Sequence, residues 1–474
     1  MKTIRIFFLI SLSVSLSALA VASDRISLRA VGMGRSAVAL TRGTDAIGIN
    51  PANIAIPDVG HFNLALAQSS FRVSTELFTY DIYQKYFTGK DSVGTDGKAT
   101  RVPYPLTAAD KEDIKSQLTE NPLTSFNFES MIVGASFQSP IVGGIGFALI
   151  AHSGVNLGFS RDYFDLLYLQ GLPSDAKYSF NGTSFESWLY LEYNLSYSRK
   201  LQVTIPYVRD LYVGGGIKFI RGYGIFQTTQ NNSSIENNVA LLDTGKNSII
   251  GNINYLARHA GIDAFNNDNS NSSSGGLPDP VGRGTGFDIG ISSEFTNGIR
   301  LGISVVDIGS ITWDKNVLLS SGGGIFTFSG YNAEIQDSVK NVFKGKNSPG
   351  ESFTTSLPTT LRIGGSVQVE KIPFLKFLPG QMLIAAEYAQ GLNTSLGNTT
   401  KPRMSLGLEY RIIPFLPLRS GFLFGGGDKL RWAFGFGLDF RYVSLDFATD
   451  NFGMIFSPKN FQVFSLSLGM KVRI

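Results

Sequence analysis

The sequence predicts an all-β protein, a transmembrane antiparallel β-barrel of about fourteen strands, and three observations carry that expectation. Apolar and polar residues alternate strictly by two, over runs that reach the roughly 9 to 11 residues a strand needs to cross a bilayer. Past residue 22 no apolar run approaches the roughly 20 residues of a membrane-spanning helix. Aromatic residues make up 12% of the chain against 16% charged residues, the balance of a lipid-facing wall with a sparse set of charges inside.

Read from its start, the chain opens with an export signal over residues 1–22. Lys2 and Arg5 form a charged beginning, Ile6 to Val14 an apolar stretch, and Ala18-Leu19-Ala20 or Ala20-Val21-Ala22 a small-residue cleavage site. The apolar stretch is too short to remain as a membrane anchor. The expected destination is the outer membrane of a Gram-negative bacterium, with outer-membrane lipid as the surrounding partner. There is no cysteine, which excludes a lipoprotein anchor, a disulfide framework and thiolate metal sites. The net charge of +4 becomes +2 once Lys2 and Arg5 are removed, and so predicts no nucleic-acid binding and no polybasic membrane patch. No charged or Pro-rich linker and no fixed repeat divides the rest, so residues 59–474 read as one barrel.

The strands follow in order near residues 59 to 80, 128 to 139, 141 to 152, 186 to 199, 210 to 224, 285 to 296, 298 to 309, 358 to 370, 381 to 391, 403 to 413, 418 to 426, 430 to 440, 443 to 449 and 461 to 474. Leu195 and Tyr197 oppose Asn194 and Ser196, and Met404, Leu406 and Leu408 oppose Ser405, Gly407 and Glu409. In the last strand Phe464, Leu466 and Leu468 oppose Ser465 and Ser467. The even count puts both ends on one side, and every long connection (81 to 127, 153 to 185, 225 to 284, 310 to 357) then falls on the outer side. Two places leave alternatives open. The first strand is long enough to be a hairpin turning at Gln68-Ser69-Ser70. Between Phe440 and Val443 only Arg441 and Tyr442 are available for a turn, yet the apolar set shifts there from even to odd positions, as a two-residue hairpin requires.

Within the outer connections, Ala109 to Leu118 reads as a short amphipathic helix with Ile114 and Leu118 on one face, and residues 264–276, rich in Asn, Ser and Gly, as a loop tip. Two apolar runs stand out in segments expected to be wet. One contains Tyr163, Phe164, Leu167 and Tyr168; the other contains Trp313, Leu318 and Phe326. Such surface marks a site for an apolar ligand or a partner, or else packs the loops on one another.

Catalytic patterns do not emerge. His61, His152 and His259 lack metal-site spacing. Gly282-Arg283-Gly284-Thr285-Gly286 precedes a strand and lacks a Gly-Lys-Ser/Thr ending, so it is no phosphate loop. Neither a catalytic residue, a metal nor a cofactor is expected.

Residues 28–58 carry Gly32-Met33-Gly34, a small-residue stretch from Ser36 to Leu40, Asp45-Ala46 and Asn50-Pro51-Ala52. This opening resembles that of the FadL-type outer-membrane transport family and its PorV-like relatives; the terminal Ile474 departs from the aromatic residue at which outer-membrane barrels usually end. The resemblance implies that residues 23–58 fold into the lumen as a hatch, with Gly32, Gly34, Asn50, Pro51 and Ala52 in it. It further implies passive passage of small hydrophobic compounds of the long-chain fatty acid kind. A PorV-like barrel that binds secreted proteins or components of a type IX-like secretion system, and a structural barrel without cargo, are the alternatives.

Overall fold

The alternation closes into a wall. In the computed structural model the described residues are 27–474 except 78, 94–98, 239–247, 263–277, 329–344, 373–378, 427 and 457–461; the export signal and the 264–276 loop tip lie outside them. A closed barrel of 14 antiparallel strands is formed by β1 (Phe62–Thr75), β2 (Leu123–Ser139), β3 (Gly143–Gly158), β4 (Ser184–Leu201), β5 (Val208–Asn231), β6 (Gly282–Phe295), β7 (Ile299–Trp313), β8 (Thr360–Gln368), β9 (Gln381–Gly391), β10 (Arg403–Ile413), β11 (Leu416–Gly425), β12 (Asp428–Asp439), β13 (Val443–Thr449) and β14 (Val463–Arg473). Each pairs with its neighbours in sequence. The seam is closed by β1 and β14, from Asn63 opposite Arg473 to Ser74 opposite Val463. Ile474 completes it through its backbone, donating to Phe62 O at 2.8 Å and accepting from His61 N and Phe62 N.

The two faces sort as the sequence requires. Leu195, Ile217, Phe219, Ile289, Ile303, Met404, Leu406, Phe422 and Leu466 are exposed on the outside, whereas Asn194, Lys218, Asp288, Ser304, Ser405, Glu409, Arg419 and Ser467 are buried inside. An apolar outer belt around a polar interior is the surface of a membrane-spanning barrel.

Both open points resolve. The chain passes Gln68 to Ser70 without turning: a bulge at Ala67 (φ +48°) slips the register between Leu66 and Ser69. The buried set thereby moves from odd positions (Asn63, Ala65) to even ones (Gln68, Ser70, Arg72), the same parity change a hairpin would make. At the other place the turn is real. Arg441 takes φ +69° and Phe440 N donates to Val443 O at 2.8 Å, the left-handed first position of a primed two-residue turn.

The outer side is more structured than the sequence suggests. Strand β5 continues well above the belt to Asn231, and its upper end pairs with Ser248–Ala260, which pairs in turn with Val317–Phe328 and then Lys346–Pro349. A second assembly contains helix α2 (Ala108–Gln117), whose Ile114 and the following Leu118 are buried with Ile82, Tyr86, Phe164 and Leu169.

Candidate functional site: the plug and the outer vestibule

Residues 28–56 fill the lumen. They form helix α1 (Leu28–Gly32) and two 3-10 turns, Gly43–Ala46 and Pro51–Ala55, with almost every residue buried. Its apolar residues pack against the wall, Ile47 and Ile54 with Ala65, Met131, Ala148 and Ile150, and Leu28 and Val31 with Ala448, and polar contacts add to that hold. Arg29 pairs with Glu409 at 2.8 Å, Arg35 with Asp450 at 2.8 Å and Lys471 with Asp45 at 2.6 Å. Ser36 Oγ donates to Ser405 Oγ at 3.1 Å, and Ser304 Oγ to the Ile49 carbonyl at 2.6 Å.

Asn50 is the local organiser. Its Oδ1 accepts from Ala52 N at 3.2 Å, which starts the turn that Pro51 pre-shapes, while its Nδ2 donates to Val38 O and Ser292 Oγ, each at 3.0 Å. One fully buried amide thus fixes the plug's own fold and ties it to β6. Gly34 adopts φ +66°, and a Cβ there would come within 2.8 Å of Phe422 O.

The wall answers with glycines where the plug's backbone comes closest. A Cβ on Gly144 or Gly214 would stand 2.5 Å from Ala55 N or Ala52 N, and one on Gly407 2.3 Å from Met33 O. Gly290, Gly302, Gly421 and Gly435 meet Asn50, Val38, Gly34 and Gly32 in the same way. These lumen positions sit on strands from β3 around to β12, so the cradle follows most of the circumference.

Beside the plug, on the β4 to β7 side, Lys218 is fully buried and its Nζ lies 2.5 Å from Asp307, 3.0 Å from Asp288 and 3.5 Å from Glu192. Glu192 in turn lies 3.1 Å from His152 Nε2. Above this network Trp188, Tyr190, Ile220, Ile225, Ile311 and Trp313 pack into an apolar cluster inside the barrel. On the opposite side an outer vestibule of about 850 Å³ stands over the plug, with Arg35, Arg72, Asn127, Arg403 and Arg431 in its lining. A smaller cavity of about 250 Å³ lies at the inner end among Arg42, Asp45, Arg300, Asp439 and Arg473.

The structure brings Gly32, Gly34, Asn50, Pro51 and Ala52 together in the plug, but it scatters the apolar loop runs. Phe164 is buried in the packing beneath α2 and Tyr163 is half-buried against Phe159, whereas Leu167 and Tyr168 are 51% and 47% exposed. Trp313 is no loop residue: it ends β7 and is buried within the barrel over Gly222 and Gly282, which make room for its ring. Leu318 and Phe326 belong to the strand Val317–Phe328, where they are half-buried, because that connection pairs with Ser248–Ala260 instead of remaining a loop. Arg35, Glu387 and Asp450, which join plug and wall, were not visible as such from the sequence. Their only trace is a charge on the polar face of an otherwise apolar strand, or next to the glycines of the plug.

The model of a family described as "Family of unknown function (DUF5723)" matches residues 51–467. No curated protein matches the sequence. Among solved structures, the Ralstonia pickettii toluene transporter TbuX is similar over 95% of this chain and 99% of its own, at 13% identity and a TM-score of 0.48. The Pseudomonas putida toluene transporter TodX (94% and 96%, 12% identity, TM-score 0.41) and a Pseudomonas aeruginosa FadL homologue (96% and 99%, 12% identity, TM-score 0.44) are similar at a comparable level. Identities this low carry no residue role from those proteins to this one.

Proposed function

Because the chain belongs to the DUF5723 family, whose function is unknown, we propose its role from its own geometry: an outer-membrane channel for passive transport of small hydrophobic compounds of the long-chain fatty acid kind, closed by a movable hatch. The observation that carries this reading is the plug itself. It is held to the wall by polar contacts as well as by apolar packing, and it separates an outer vestibule from an inner cavity. The vestibule gives an incoming compound a space of about 850 Å³ above the plug. No covalent step and no energy source is needed, since displacement of the plug alone would join the two spaces.

The chain's lack of cysteine makes the test direct. Ser36 Oγ and Ser405 Oγ are 3.1 Å apart, so the pair Ser36→Cys and Ser405→Cys would cross-link the plug to β10. Protein reconstituted in liposomes should take up a fluorescent fatty acid, lose that uptake on oxidation of the pair and regain it on reduction. Uptake that persists in the cross-linked protein rules out a moving hatch, and an absence of uptake in the unmodified protein rules out the transport reading. A second reading, docking of a secreted protein, is favoured by the exposure of Leu167 and Tyr168 on the outer side; replacing both with Ser should then abolish partner capture and leave uptake intact.

A further inference from the structure

The two rims of the barrel differ in charge. On the inner side the exposed charged side chains among the described residues are Arg199, Lys200, Arg209, Lys371 and Arg441, all of them cations. The carboxylates there are withdrawn: Asp58, Asp210, Glu370 and Asp439 are half-buried. Asp210 pairs with Lys200 and Arg209, Arg209 also reaches Glu294, and Asp439 pairs with Arg411 and Arg473. Arg199 and Lys371 form no ion pair with described residues, and the Arg441 guanidinium lies over the Tyr442 ring at 5.4 Å. The outer side, by contrast, exposes Asp91, Glu112, Asp175 and Asp314 among its lysines. The small net charge, which predicts no basic membrane patch, sums both rims and so conceals the difference.

A second, independent feature lies in the turns beside these cations. Ile-Pro-aromatic recurs at three inner connections, as Ile205-Pro206-Tyr207, Ile372-Pro373-Phe374 and Ile413-Pro414-Phe415; Pro373 and Phe374 lie outside the described residues. Proline has no N–H and so ends the ladder. In the two described turns Tyr207 is 82% exposed, and Ile205, Ile412 and Phe415 are exposed as well. The turn between β2 and β3 adds Ile141 and Val142, both exposed. Arg199 sits where this apolar rim meets the belt. It follows Tyr197 by two residues on the lipid-facing side of β4. Tyr197 OH donates to Val142 O at 3.0 Å, and a Cβ on Gly143 would stand 3.5 Å from Arg199 Cα. Cations set among apolar side chains at the edge of a membrane-spanning belt match an anionic lipid, with its acyl chains on the belt and its phosphodiester at the rim.

We propose that the inner rim binds anionic phospholipid of the inner leaflet, of the phosphatidylglycerol kind. Arg199, Lys371 and Arg441 read the charge of its head, and the Ile-Pro-aromatic turns form its apolar seat. The site is independent of what passes through the lumen, so it stands or falls apart from the transport reading.

The test reconstitutes the full-length protein into nanodiscs of equal parts phosphatidylglycerol and phosphatidylethanolamine with the same acyl chains, releases it into mild detergent and counts the retained lipids by native mass spectrometry. Phosphatidylglycerol should be retained at least about fivefold over phosphatidylethanolamine, the ratio that one cation beside an anionic head confers. Raising the salt should shrink that ratio. The triple variant Arg199→Gln, Lys371→Gln, Arg441→Gln should bring it near one, whereas Lys85→Gln on the outer side should leave it as it was. Tyr207→Ser with Phe415→Ser should lower retention of both lipids and keep their ratio. Folding is read from the shifted gel mobility before heating; if the triple variant fails to fold, Arg199→Gln alone should at least halve the preference. Equal retention of the two lipids by the parent protein, or a preference unchanged in the Gln variants, overturns the proposal. An acidic protein that co-purifies with the parent and is lost from the triple variant, with no lipid preference in either, would overturn it in favour of a protein docking at this rim.

Discussion

Glu387 on β9 grips Val38 of the plug: its Oε2 accepts the backbone N–H of Val38 at 2.7 Å and also that of Ala37 at 2.6 Å. Its other oxygen accepts from Arg362 at 2.8 Å. Replacing Glu387 with Ala leaves two buried N–H groups and a buried guanidinium without this acceptor. The plug should lose about 1–3 kcal/mol of its hold for each group left unsatisfied. In planar bilayers the variant should show more frequent and larger current steps than the parent protein; an unchanged closed trace would mean that the other contacts suffice.

Adding bulk to the cradle should unseat the plug without harming the belt. A Cβ at Gly407 would meet Met33 O at 2.3 Å, and backbone cannot swing aside as a side-chain tip can. Gly407→Val is therefore expected to give a barrel that still assembles, seen by its shifted gel mobility before heating, but that is leaky to ions and more readily cut by protease within residues 28–56. A tight, protease-resistant Gly407→Val protein would contradict the close seating.

Trp313 separates packing from hydrogen bonding. The ring is fully buried, yet its Nε1 has no hydrogen-bond partner. Trp313→Phe removes that buried unpaired donor and keeps an aromatic ring, whereas Trp313→Ala opens a cavity with a cost of about 3–5 kcal/mol. Thermal unfolding followed by circular dichroism should rank the proteins with Phe near the parent and Ala far below it.

On the outer side, Thr107 and Asp110 cap α2 reciprocally, and hydrogen bonds from the Thr107 hydroxyl and backbone hold the Asp110 carboxyl below its ordinary 3.8. A depressed folded value means that the stabilisation is present above the ordinary value and disappears as the pH falls through the folded one. The protection of the Ala108–Gln117 amides, taken relative to their intrinsic exchange rates at each pH, should hold steady around neutral pH and fall only below about pH 4. In Asp110→Asn that protection should be weaker at neutral pH and largely independent of pH.

Much of the barrel was legible because a period of two is local: each strand states its own two faces, and a one-residue slip shows as a change of parity. That logic located the turn at Arg441 and Tyr442. It could not separate a hairpin from a bulge at Ala67, because both reverse parity and only the pairing with β14 tells them apart. The plug's Asn50-Pro51 turn was readable for the same local reason. Glu387 with Val38, by contrast, joins residues hundreds of positions apart, and no pattern within either segment encodes their meeting. The strand Val317–Phe328 was missed because a ribbon raised above the membrane has no lipid-facing side and hence no strict alternation to betray it.

The glycine cradle has one more consequence. Barrels of this strand number ordinarily narrow their interior with inward side chains, yet here Gly144, Gly214, Gly302, Gly407 and Gly421 leave bare backbone where the plug lies. If the plug moves, the space it vacates is its own mould, a conduit with its widest bore along the bare glycines. The path of anything that passes is thereby already cut into the wall, and a change in the plug's sequence would leave that bore unaltered.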